Sequence, residues 1–162
     1  MRKIRIGHVG TLHDHSMGKL RCVKKFPDVF EIVGIVPEDD ARWEHVRAFP
    51  EYRDIPRMTE EELLAFLEKR KGILDGVCVT GGEPTLQKEL PEFLKKIKDL
   101  GYAVKLDTNG YRPEVLKSVV EQGLVDYVAM DIKNCLPKYP MTVGLDTFDT
   151  HPVQESVQIL RN

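Results

Sequence analysis

His8, His13 and His15 form the one local cluster of metal-ligating side chains in this sequence of 162 residues. Imidazole nitrogens suit zinc, copper and nickel. His13 and His15 flank Asp14 at the carboxyl end of the first strand-like segment, where open α/β sheets bind ligands. A divalent metal held by His13 and His15 is one reading. The other is that His8 lies in the sheet while the two loop histidines cap the turn and the first helix. The thiols offer less: Cys22, Cys78 and Cys135 are odd in number and far apart, which suits reduced cysteines better than a disulfide framework or a closed zinc site. No Ser-His-Asp or Cys-His arrangement can be assigned. Glu38-Asp39-Asp40 is a charge run at a strand end, not a positioned acid/base pair.

The elements that must carry these residues alternate between strand-like and helix-like patterns along the whole chain, which argues for helices on both faces of a parallel sheet. Strands are expected over 3–10, 30–36, 76–80, 103–107 and 126–132. The helices begin with 17–26, where Leu20, Val23 and Phe26 are helically spaced. Trp43, Val46 and Phe49 mark the next, with Trp43 read as a core residue. Thr59 with Glu62 forms a capping box that opens a third. Further helices follow over about 86–100, closed by Gly101, and 111–123, closed by Gly123. The stretch 134–152 reads as a loop, and Val153, Val157 and Leu160 mark a last amphipathic helix. A short extra edge strand is expected near Ile55.

Lys and Arg number 24 against 26 Asp and Glu, for a formal net charge of −2. No basic field exists to draw nucleic acid or an anionic membrane. No apolar run approaches the roughly 20 residues of a membrane helix, and the N-terminus lacks a signal-peptide core. The expectation is a cytoplasmic single domain over 1–162, a monomer or weak homodimer, with no partner identified.

Two resemblances divide the chain. KIRIGHVGTLHDHSMGKL, FPDVFEIVGIVPEDD and TEEELLA, within about residues 1–65, resemble the dinucleotide-binding domain of the Gfo/Idh/MocA oxidoreductases. GVCVTGGEPTLQKELPEFLKKIKDLGYAVKLDTNG and DYVAMDIKN, within about 66–162, resemble the activating-enzyme branch of the radical SAM superfamily. Together they imply one three-layer, flavodoxin-like or Rossmann-like α/β domain with a parallel sheet in the order 2-1-3-4-5 and a switch point between its first and third strands.

Each resemblance implies a cofactor and the residues to hold it. For a dinucleotide, glycines let the backbone approach the pyrophosphate. Gly10 fits the first of them, but Leu12 and His15 stand in place of the others, and Pro37 falls where the ribose-binding acid belongs. For S-adenosylmethionine, Gly81, Gly82 and Glu83 correspond to the contacts with the methionine amine, followed by Asp107, Thr108 and Asn109, then Asp131 and Lys133. The CxxxCxxC loop that holds the family's iron-sulfur cluster is missing. The run His15-Ser-Met-Gly18 also resembles the histidine motif of cobalamin-binding domains, with His13 standing where that motif has aspartate. The resulting expectation is a chimeric α/β scaffold with no native catalytic function, no catalytic residue and no iron-sulfur cluster. Its alternatives are residual S-adenosylmethionine, NAD or other nucleotide binding at the strand ends, and metal or cobalamin binding at His13 and His15.

Overall fold

The computed structural model describes residues 3–11, 14–80 and 82–161, with only the backbone of residues 14 and 15. The chain divides into two compact units, Met1–Ile73 and Leu74–Asn162. Both are α/β with parallel strands.

In the first unit, β1 (Ile4–Val9) pairs in parallel with β2 (Phe30–Val36), with a register irregularity between Ile6 and Gly7. α1 (Asp14–Lys24) connects them, as a parallel pair requires. α2 (Asp40–Val46) and α3 (Glu60–Glu68) follow. The core gathers Leu20, Ile35, Val46, Tyr52 and Ile55, with Met17, Ile32 and Trp43 packed against it. Trp43 is thus the core residue its spacing predicts. The capping box at α3 forms as read: Thr59 accepts from the Glu62 amide and the Glu62 carboxylate accepts from the Thr59 amide. The charge run is spent on structure. Asp39 caps α2 by accepting from the Arg42 amide at 2.6 Å, and Asp40 pairs with Arg57. Near Ile55 there is an isolated bridge, Ile35 to Arg57, and no full strand. Pro56 has no N–H with which to extend a ladder.

In the second unit, β3 (Gly76–Val79), β4 (Ala103–Thr108) and β5 (Tyr127–Met130) form a parallel sheet in that order. The described strand pairings therefore make two sheets. The pairing of β1 with β3 that would join them in the order 2-1-3-4-5 is not among them. Side chains alternate across a strand, and β4 shows it: Val104, Leu106 and Thr108 are buried, while Lys105 and Asp107 are half-buried on the other face. The buried set belongs with apolar residues of α4 (Leu90–Asp99), α5 (Pro113–Glu121) and α7 (His151–Arg161), namely Leu94, Ile97, Leu116, Val119 and Val153. The helix expected from residue 86 begins later. Residues 84–86 form one tight turn capped by Glu83, and α4 starts at Leu90 with Pro91 in its first turn, where a missing N–H costs nothing. The expected loop 134–152 contains a short helix, α6 (Tyr139–Val143), closed by Gly144.

Asp126 fixes the start of the β4/β5 ladder. Its amide donates to the Val104 carbonyl at 2.8 Å, and its carboxylate accepts from the Val104 amide at 2.6 Å and from Lys98 at 2.7 and 2.8 Å. The Lys98 and Val104 bonds hold the carboxyl below its ordinary range. Among the described residues, no helix is long and apolar enough to cross a membrane.

Candidate functional site at the carboxyl ends of β3, β4 and β5

Parallel strands deliver their carboxyl-terminal residues to one edge of a sheet, and in the second unit that edge collects Gly82, Glu83, Asp107, Thr108, Asn109, Asp131 and Lys133. Gly81 lies outside the described residues, and Gly82 is exposed.

Glu83 is the junction between the ends of β3 and β4. Its Oε1 accepts from the Thr85 amide at 3.2 Å, the Thr85 hydroxyl at 2.5 Å and the Thr108 hydroxyl at 2.6 Å. Its Oε2 accepts from the Asn109 amide at 2.7 Å. The turn after β4 is held in the same way. Thr108 Oγ1 accepts from the Gly110 amide at 3.1 Å, and Asn109 Oδ1 from the Tyr111 amide at 2.9 Å. Gly110 has φ +72, a left-handed conformation that favours glycine, and a Cβ there would meet the Met130 side chain. β5 is tied in through the Asp131 amide, which donates to the Thr108 carbonyl at 2.9 Å. The Lys133 amide donates to the Tyr139 hydroxyl at 3.3 Å, and the Lys133 ammonium pairs with Asp131.

Asp107 sits one step inward on the open face. The Lys105 ammonium donates to its Oδ1, and the Cys78 thiol lies 3.7 Å from Asp107 Oδ2 and 3.7 Å from Lys105 Nζ. Burial pushes the Asp107 carboxyl up, but hydrogen bonds from Lys105 and Thr80 outweigh it and hold the group below its ordinary range. Burial, with Asp107 beside it, pushes the Cys78 thiol up. Sequence reading missed Lys105, Cys78 and Thr85. The first two could have been found from strand period alone, because Lys105 lies two residues before Asp107 and Cys78 two before Thr80, on the same face.

The first unit answers the other expectations. His8 is the sheet histidine of the second reading: its Nε2 lies 2.7 Å from Ser16 Oγ, which lies 2.8 Å from the Tyr52 hydroxyl. Burial lowers the His8 imidazole below its ordinary value. His13 and the His15 side chain lie outside the described residues. Among the described residues no group of three or more His, Cys, Asp or Glu could hold a metal. Gly10 has the positive φ of a tight turn, +82. The amide beyond it is already bonded: Thr11 donates its N–H to Glu38 Oε1 at 2.7 Å and its hydroxyl to Oε2 at 2.8 Å, where a pyrophosphate would need that N–H.

The sequence pattern of the radical SAM superfamily matches residues 24–162, and the chain belongs to that superfamily. Among curated relatives, it is 46% identical over 66 residues to a Methanocaldococcus jannaschii protein named as a glycyl-radical enzyme activating enzyme, covering 40% of this chain and 28% of that protein. It is 40% identical over 85 residues to the 7-carboxy-7-deazaguanine synthase of Thermococcus kodakarensis, covering 52% of this chain and 33% of that enzyme. The chain thus spans about a third or less of the length of these relatives. Among solved structures it is similar to an oxidoreductase of Thermotoga maritima, at 24% identity and a TM-score of 0.47 over 80% of this chain and 38% of that one. It is also similar to the WlbA dehydrogenase of Bordetella pertussis, at 18% identity and a TM-score of 0.48 over 79% and 38%. The radical SAM resemblance read from the second part of the sequence is thereby borne out.

Superfamily membership overturns the expectation of a scaffold without catalytic function, and with it the expectation that no iron-sulfur cluster is involved. The relatives are named as enzymes, and the superfamily uses S-adenosylmethionine with such a cluster. The missing CxxxCxxC loop does not take the chain out of the superfamily, whose pattern matches residues 24–162. The cysteines of this chain do not fit a cluster. The second unit carries two cysteines, Cys78 within β3 and Cys135 beyond β5, one fewer than the three ligands of such a cluster. The strand-end residues do fit the other group, since Glu83 and Asp107 are anionic acceptors and Asn109 and Lys133 carry donors.

Proposed function

We propose that this chain supplies the S-adenosylmethionine-binding strand ends of a radical SAM enzyme, with Gly81, Gly82 and Glu83 facing the methionine amine and Asp107, Thr108, Asn109, Asp131 and Lys133 lining the adjoining ends. The observation that carries the reading is the Glu83 junction. Among the described residues Oε1 takes three donors and Oε2 only one, so Oε2 is the less saturated oxygen of the carboxylate. Oε2 therefore retains an acceptor site for an ammonium while the rest of the carboxylate is held rigid by Thr85 and Thr108. A preoriented acceptor loses little freedom when the ligand arrives.

S-adenosylmethionine, when bound, brings the group from which the superfamily's radical chemistry starts. The chain's own contribution is to hold it. Glu83 fixes the amine, Gly82 leaves room for close approach, and Asp107 and Asp131 offer acceptors beside it. Each of those two aspartates is already paired with a lysine two residues away, so the edge carries charge of both signs. The relatives are named for different substrates, and the reading concerns the cofactor alone.

Calorimetric titration with S-adenosylmethionine tests it. The expected result is saturable heat that the variant Glu83→Gln weakens by about tenfold or more, the scale of losing a charge-assisted hydrogen bond. Equal affinity in Glu83→Gln, or no heat with the unaltered chain, removes this reading.

A further inference from the structure

The Lys105–Asp107 pair lies on the open face of the second sheet, and its surroundings explain why the ammonium lies along the strand. In register, Lys105 sits between Cys78 on β3 and Tyr127 on β5, and Asp107 lies beside Ala129. Cys78 and Ala129 are small. The Lys105 ammonium bonds Asp107 and lies 3.7 Å from the Cys78 thiol, and Lys105 borders a shallow cavity of about 260 Å³ whose lining includes Gly76, Cys78 and Tyr127. The arrangement does little for stability. The Lys105 and Asp107 side chains are 40% and 35% exposed, and partly exposed ion pairs contribute little to stability. What the ammonium does control is its partner. A carboxylate at the end of β4 that is partly withdrawn from water has two ways to lower its energy: take up a proton or turn outward. An ammonium held on the same face opposes both.

We propose that Lys105 is the positioning residue of the strand-end site, fixing the Asp107 carboxylate as an ionised acceptor aimed along the open face toward the ligand. The role of Asp107 toward the ligand rests on the S-adenosylmethionine reading; its control by Lys105 does not. The other groups facing Asp107 are few. From β3 come the Cys78 thiol, which burial keeps protonated, and the Thr80 hydroxyl, which donates to the carboxylate. From β5 the titratable neighbour is Tyr127, opposite Lys105. Lys105 is the one cation whose charge acts on Asp107 among the causes of its lowered range.

The test begins on the ligand-free chain. The 13C shift of the Asp107 carboxyl is followed against pH in the unaltered protein, in Lys105→Met and in Lys105→Arg. Removing the ammonium leaves burial uncompensated, so the Lys105→Met midpoint is expected to rise by about one pH unit or more. Lys105→Arg, which keeps the charge, is expected to restore it. A purely structural role for Lys105 would move the denaturation midpoint and leave this titration in place. An unchanged Asp107 midpoint in Lys105→Met, or a failure of Lys105→Arg to restore it, overturns the proposal. In a second arm, S-adenosylmethionine affinity in Lys105→Met is expected to fall with acidification at a higher pH than in the unaltered chain, following the Asp107 midpoint found for each protein in the first arm; coincident profiles in the two proteins would overturn the positioning role toward the ligand. No binding by the unaltered chain removes the cofactor reading, and the ligand-free titration still decides for or against control of Asp107 by Lys105.

Discussion

Replacing Glu83 by alanine takes one acceptor away from four donors. Two of the four, the Thr85 amide and the Asn109 amide, belong to the backbone; the other two are the Thr85 and Thr108 hydroxyls. Asn109 is exposed, so water replaces its lost partner. Thr85 and Thr108 are only 4% and 5% exposed, and three donors there are left behind. Leaving a buried donor without a partner costs about 1–3 kcal/mol, and water entering the space of the lost side chain recovers part of it. The Thr108 hydroxyl still accepts from the Gly110 amide, but its own O–H is left without an acceptor. The net loss is expected to be about 2–4 kcal/mol. The single tryptophan, Trp43, reports on the first unit, so fluorescence would not see the change. Native-state amide exchange of Val104 and Leu106, in the middle of β4, reads it directly, because protection falls by about tenfold for each 1.4 kcal/mol of lost opening free energy. Protection unchanged to within about 0.5 kcal/mol would refute the view that Glu83 clamps β3 to β4.

Two further outcomes follow from the buried chain of hydrogen bonds in the first unit. Because burial holds His8 below its ordinary value of 6.5, the unfolded chain binds that proton at higher pH than the folded one. Thermal stability is therefore expected to fall as the pH drops below about 6.5 and to level off once folded His8 is also protonated, and His8→Gln should remove that part of the slope in melts across pH 5–8. Tyr52→Phe deletes the hydroxyl that lies 2.8 Å from Ser16 in a fully buried place, and Trp43 fluorescence in urea should record a loss of about 1–2 kcal/mol.

The elements that sequence patterning made legible are those whose signals are local. The capping box at Thr59, the glycines that close α4 and α5 with φ +87 and +65, and the alternation of β4 all need only their own few residues. What was not legible depends on partners distant in sequence. Glu83 is named from the sequence as a ligand contact, but its grip on Thr108 and Asn109, 25 and 26 residues on, is not legible there. Lys105 looks like a polar residue out of place in a strand until the register sets Cys78 and Tyr127 on either side. The acidic run 38–40 divides into a turn clamp, a helix cap and an ion pair, and nothing in the residues themselves assigns those duties. The functional expectation failed for a related reason. It weighed two incomplete local motifs, the CxxxCxxC loop and the dinucleotide glycines, above a family pattern that matches residues 24–162.

The double hold of Asp126 on Val104 has a consequence for how the second sheet finds its pairing. Because the aspartate grips both the amide and the carbonyl of a single residue, shifting β5 along β4 by one position would break both bonds together and strand a carboxylate beside an apolar strand. The same slip would turn one strand's side chains over relative to its neighbour, separating Ala129 from Asp107. Asp126 thus acts as the index mark of the sheet, and the alignment of the strands' carboxyl ends is decided at their opposite ends.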